Sequence, residues 1–249
     1  MTSPVAVVTG GGGGIGHATV RRLKADGYVV AVADLADREG VTAECDLFRV
    51  VDASSQEGMN GFVSDVEDRF GPVTAGVASA GVIASGPFLE LEAAQIDRTF
   101  RVNFGGPLYL TQAIGRQRSR DSHGASIVLV SSISGRSGRP NEADYAASKA
   151  AVISLTQSAS LALAEFGVRV NAVCPGVVET DMTRRLHQDR AERQAVSEEE
   201  SLAGMTQRIP LGRAATPDEI AASVVYLLGP SSSYVTGQAL NVCGGVEMN

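Results

Sequence analysis

Cysteine is scarce: the chain has three, Cys45, Cys174 and Cys243, an odd number set far apart and without CxxC spacing. That usage suggests neither a disulfide framework nor a zinc site, so no metal is expected and a reducing cytoplasm is the expected compartment. Positive charge is also in deficit, with a net charge of -7, which argues against a phosphate backbone or an anionic membrane surface as the main partner. Long apolar runs are missing too. One long uncharged stretch, Val73 to Leu89, is interrupted by glycines, a proline and hydroxyl side chains, and reads as strand and loop rather than a membrane span. The opening MTSPVAVV has no basic region ahead of its apolar residues, so no secretory signal is expected.

What is present is enough for a core without staples: 44% of the 249 residues are hydrophobic. A chain of this size buries roughly three quarters of its unfolded surface. No repeat and no linker divides it, so one α/β domain over residues 1–249 is expected, a doubly wound, Rossmann-like parallel sheet of about seven strands with helices on both faces.

The pattern begins with a short β-rich run, Val5 to Thr9, that passes directly into Gly10 to Gly16 and then into a helix-periodic segment ending at Gly27. Strand, glycine turn and helix together make a dinucleotide cradle. Glycines let the backbone turn tightly and approach a ligand, and the helix N-terminus behind them offers N–H groups to a pyrophosphate. Gly10, Gly14, Ile15 and Gly16 are its expected contacts. Tyr28 to Ala33 reads as the second strand, with Asp34 at its end, about twenty residues past the glycines, where a carboxylate accepts bonds from ribose hydroxyls and repels a 2′-phosphate. With no lysine or arginine in the glycine loop, NAD is favoured over NADP; the competing reading makes Asp34 the cap of the next helix. A third strand ends at Val50-Val51, and Asp52-Ala53 follow where an adenine edge would lie, or as a solvated turn.

Further along, Gly58 to Phe70 reads as a helix and Ala75 to Ser79 as a strand ending in small residues, Ala80 and Gly81 among them, that let a cofactor lie against the backbone. Leu91 onward is helical and leads into Phe100 to Gln117. Ile127 to Val130 is the fifth strand. After it comes the densest chemistry in the chain, SSISGRSGRPNEADYAASK. Tyr145 and Lys149 share one face of a helix that Asn141 is placed to cap, and Ser132 lies just past the strand. A hydroxyl, a phenol and an ammonium group in one pocket suit proton transfer to or from an oxygen. The phenol's ordinary pKa, near 10, is too high for a base at neutral pH, and a neighbouring cation is expected to lower it. The helix runs to Phe166 before Gly167, and its small, apolar surface suggests burial on two sides. Val168 to Cys174 and Gly237 to Val242 supply the last strands, with a helix near Pro217 to Leu228 between them. The polar stretch Asp181 to Arg208 reads as a mobile lid or as a solvated helix pair.

With Thr9-Gly10-x-x-x-Gly14-x-Gly16, Ser132, Tyr145-x-x-x-Lys149 and Pro175-Gly176 in hand, the chain resembles the short-chain dehydrogenase/reductase family in its compact single-domain form. The likeness continues in Asn171-Ala-Val-Cys-Pro-Gly, Thr180-Asp181, Ile209-Pro-Leu-Gly-Arg and Val235-Thr-Gly-Gln, so it spans nearly the whole length. It implies that Tyr145 is the acid/base, Ser132 orients the substrate oxygen, and Lys149 binds the nicotinamide ribose. It implies further that Asn103 holds a water on the proton path, that Pro175-Gly176 shape the nicotinamide pocket, and that Val178 and Thr180 contact the carboxamide end. A homotetramer is implied as well. Two places depart from the family pattern: Ala78-Ser79-Ala80-Gly81, where two asparagines are usual at the start, and Cys243, where an aspartate is common.

These readings favour an NAD-dependent oxidoreductase acting on a small-molecule secondary alcohol or ketone. The nearest alternative is a 3-oxoacyl-thioester reductase, on an acyl carrier protein or CoA, with Arg184, Arg185 and Arg208 as candidates for a phosphate. A non-catalytic nicotinamide sensor is the third, though no catalytic residue is missing.

Overall fold

The computed structural model describes residues 3–38, 40–121, 123–194 and 196–248. Seven strands, β1 (Val5–Thr9), β2 (Val29–Asp34), β3 (Leu47–Val50), β4 (Val73–Ala78), β5 (Ala125–Val130), β6 (Val168–Pro175) and β7 (Ala239–Val242), form one sheet in the order β3-β2-β1-β4-β5-β6-β7. Every neighbouring pair is parallel. The order reverses direction between β1 and β4, and at such a switch point the loops beyond the strand ends part to leave a crevice.

Both faces of the sheet are covered, which is why the strands read as nearly continuous apolar runs. Alternate residues face opposite ways. Val7, Ala31, Ala33, Ile127 and Leu129 pack with side chains of α2 (Gln56–Phe70), α4 (Gly106–Asp121) and α5 (Ala143–Leu163). Ala6, Val8, Val30, Val32 and Val128 pack with Val20 and Leu23 of α1 (Gly14–Ala25) and Ile220 and Val224 of α8 (Pro217–Leu228). Among the described residues no helix is long and apolar enough to cross a membrane.

Several boundaries differ from those expected. Helix α2 starts at Gln56 because Ser55 Oγ accepts the Gly58 amide at 3.0 Å and caps it two residues earlier. The segment after Leu91 is broken in the middle: α3 (Ala93–Phe100) passes through a π turn at Arg101–Gly105 into α4. Asn141 does not cap α5. The N-cap position falls to Glu142, whose side chain makes no capping bond, while the Asn141 carbonyl accepts the Gly86 amide at 2.9 Å and ties this turn to the loop after β4. The polar stretch after β6 folds as two helices, α6 (Asp181–Gln194) and α7 (Glu198–Thr206).

Candidate active site

The loop after β5 is stitched to α5 by its own side chains and backbone. Ser131 continues the ladder, its amide bonding the Val173 carbonyl at 2.8 Å, and its hydroxyl donates to the Lys149 carbonyl at 2.8 Å. Ser132 Oγ accepts the Ser134 amide at 3.1 Å and caps the short turn Ile133–Gly135. That turn lies on the backbone of α5 so closely that a Cβ on Gly135 would fall 2.7 Å from the Lys149 carbonyl carbon. Ser132 is thereby fixed opposite Tyr145 and Lys149.

Lys149 is 4% exposed, with its ammonium donating to the Val130 carbonyl at 2.9 Å and lying 5.7 Å from the centre of the Tyr145 ring. Burial holds this lysine down to a pKa of about 8. The same burial pushes the Tyr145 phenol up to about 12; the Ser132 hydroxyl acts in the opposite direction, and Glu142 and Cys174 add to the rise. Lys149, one of the cations expected to lower the phenol, contributes no lowering here. Desolvation dominates the phenol, while the ammonium donates to the Val130 carbonyl.

Asn103 is fully buried in the π turn, an irregularity frequent at functional sites. Its carboxamide clamps Val82 from both sides, accepting from the amide at 2.8 Å and donating to the carbonyl at 2.9 Å, and it also donates to Ser148 Oγ at 3.0 Å. This clamp braces the loop after β4 where the shortened Ser79 does not. Gly81 is held between the two halves of the site: a Cβ there would lie 3.4 Å from Asn103 Oδ1 and 3.6 Å from Lys149 Nζ.

At the other end of the crevice the glycines of the first loop have separate duties. A Cβ on Gly16 would strike the Gly10 carbonyl at 2.0 Å, so Gly16 closes the helix onto the turn and does not line the crevice. Asp34 accepts the Gly12 amide at 2.9 Å and the Leu35 amide at 2.7 Å. It caps no helix; the next helical turn, Val41–Ala43, has Gly40 at its N-cap position, and Asp37 accepts the Val41 amide at 2.7 Å. Asp52 holds its own turn through Ser54 at 2.8 Å and lines the crevice as well.

One cleft of about 530 Å³ joins these ends. Gly10, Gly14, Ile15, Asp34, Asp52 and Ala53 line one half, and Ala80, Gly81, Ser132, Tyr145 and Lys149 the other. Pro175, Gly176, Val178 and Thr180, from the end of β6 and the loop after it, close the side. Asn103 stands behind the wall. The shape and the donor set fit a nicotinamide dinucleotide: an acidic ribose end, a glycine backbone for the pyrophosphate, and a proton-transfer group at the far end. Sequence reasoning missed Arg38, Arg98 and Arg101, which also line the cleft and form no ion pair among the described residues. It could have noticed Arg38 from its place four residues past Asp34. The arginines it did name do not line the cleft, and Arg184 is paired with Asp181 at 2.8 Å. Cys243 has a structural account, since its buried thiol donates to the Glu247 carbonyl at 3.2 Å and anchors the C-terminal turn.

A family model described as enoyl-(acyl carrier protein) reductase matches residues 10–247. An acetoacetyl-CoA reductase of Synechocystis sp. is 37% identical over 98% of this chain and 96% of its own length. Two solved structures superpose closely. An actinorhodin polyketide ketoreductase with NADPH has a TM-score of 0.92 at 35% identity, covering 99% of both chains. An NAD+-bound xylitol dehydrogenase has a TM-score of 0.91 at 31% identity, covering 98% of this chain and 99% of the other. The chain belongs to the short-chain dehydrogenase/reductase family and is an oxidoreductase of that family.

Proposed function

We propose that the chain interconverts a secondary alcohol and its ketone with NAD(H), Tyr145 serving as acid and base. The observation that carries this reading is the single cleft with Asp34 at one end and Ser132, Tyr145 and Lys149 at the other. When bound, the nicotinamide supplies or accepts the hydride at the substrate carbon. The Ser132 hydroxyl orients the substrate oxygen. On reduction the Tyr145 phenol gives its proton to that oxygen, and on oxidation its deprotonated form takes the proton back. Lys149, beside Gly81 on the cleft wall, holds the nicotinamide ribose and supplies positive charge near the phenol. Asn103 keeps the loop carrying Gly81 in place through Val82.

Asp34 supports NAD. Its Oδ2 holds one backbone bond, from Gly12, and keeps a lone pair for a ribose hydroxyl, whereas a 2′-phosphate would meet the carboxylate's charge. A second reading, reduction of a 3-oxoacyl thioester with NADPH, is favoured by Arg38, Arg98 and Arg101 on the cleft wall and by the likeness to an acetoacetyl-CoA reductase. Turnover with NAD and with NADP, over polyols, other secondary alcohols and 3-hydroxyacyl thioesters, separates the two. The first reading expects at least tenfold better kcat/KM with NAD; preference for NADP, lost in Arg38→Ala, supports the second.

A further inference from the structure

Helix α6 leaves the cleft rim at Asp181, Met182 and Thr183 and reaches across to two other parts of the molecule. Arg193 donates to the hydroxyl of Ser85 at 2.8 Å, and also to its carbonyl, on the loop after β4. Arg190 donates to Glu142 Oε1 at 3.1 Å and to Met205 Sδ of α7 at 2.8 Å. Glu142 is 7% exposed and stands at the N-cap position of α5, one turn before Tyr145. A carboxylate there could bond the free amides of the first turn, an arrangement worth about 1 kcal/mol. Instead its side chain makes no capping bond, and Arg190 is its sole hydrogen-bond partner among the described residues.

Resting on the function proposed above, we propose that the Glu142–Arg190 ion pair is a latch: it holds α6 and α7 against the start of α5 and couples their closure to the charge beside which Tyr145 works. Both are positioning residues. A buried charge is tolerable only while paired. With α6 docked, the guanidinium offsets the Glu142 carboxylate; with α6 displaced, the carboxylate stands uncompensated near the phenol. The titratable and polar groups facing Tyr145 are Ser132 and Cys174 from the strand ends, Lys149 and Glu142 from its own helix, and Arg190 through Glu142. Of these, only Arg190 belongs to the helix pair that closes.

Opposite shifts from the two partners are the signature that a purely structural role would not give. Arg190→Gln should move the pH profile of alcohol oxidation alkaline by roughly 0.5–1 pH, and Glu142→Gln should move it acid by a similar amount, with the double variant close to wild type. Arg190→Lys, which keeps the charge, should restore most of the wild-type profile. Hydrogen exchange supplies a readout independent of turnover: amides of α6 and α7 should exchange at least tenfold faster in Arg190→Gln. Shifts of the same sign in both single variants, or unchanged exchange in Arg190→Gln, would overturn the latch. A wild-type protein without turnover would defeat the proposed function, and the exchange measurement would then decide the latch by itself.

Discussion

Lys149 is buried with its ammonium on one backbone carbonyl, an arrangement that serves chemistry at the expense of stability. Its folded pKa of about 8 lies below the ordinary 10.5, so between those values the unfolded chain binds more protons than the folded one. Stability from this group therefore rises with pH across that window, and below pH 8 the full cost of a buried charge is present. Lys149→Met should stabilise the protein at pH 7 by about 2 kcal/mol, after allowing for the lost bond to Val130, and the gain should shrink as pH rises from 8 to 10. Thermal unfolding of both proteins over that range checks it. The phenol shows the opposite sign. Held up at about 12, Tyr145 keeps its proton at neutral pH, which poises it to donate. Ketone reduction should therefore proceed readily near pH 7 while alcohol oxidation rises steeply toward alkaline pH; a flat profile for oxidation would count against Tyr145 as the base.

Turns more than regular elements decide what the cleft can hold. A Cβ on Gly12 would lie 2.3 Å from the Ala36 carbonyl and 2.9 Å from Asp34 Oδ2, so Gly12→Ala should push the acidic end of the cleft out of register. NADH affinity should fall at least tenfold with far-ultraviolet circular dichroism unchanged, and a titration of nicotinamide fluorescence in this tryptophan-free chain would show it. Most of this was legible in the sequence, because strand, glycine turn and helix are local signals, and so are Tyr145 and Lys149 on one helical turn. What escaped was non-local. Nothing in the spacing around Asn103 announces a π turn, since its geometry follows from the clamp on Val82 and the packing of Gly106 against Ala53. Asn141 carried the right residue type for a cap, but its carbonyl is held by Gly86 and the cap position moved one residue on. Glu142 and Arg190 are distant in sequence, and no periodicity could pair them.

At the scale of the whole molecule, apolar side chains remain in water that a second copy of the chain would cover. Leu161 on α5 is 82% exposed and Tyr234, before β7, fully so. We propose that these surfaces join copies into an oligomer, a tetramer by the family resemblance, and light scattering should report several times the monomer mass; a monomer would refute this. The account as a whole rests on hydride transfer across the cleft between Asp34 and Tyr145. Its most direct test is single-turnover reduction of a ketone substrate by bound NADH, in wild type and in Tyr145→Phe, with NADH affinity measured separately. The variant should bind NADH within about threefold of wild type and turn over at least 100-fold more slowly, the scale of a lost general acid. Equal rates in the two proteins would contradict the assignment.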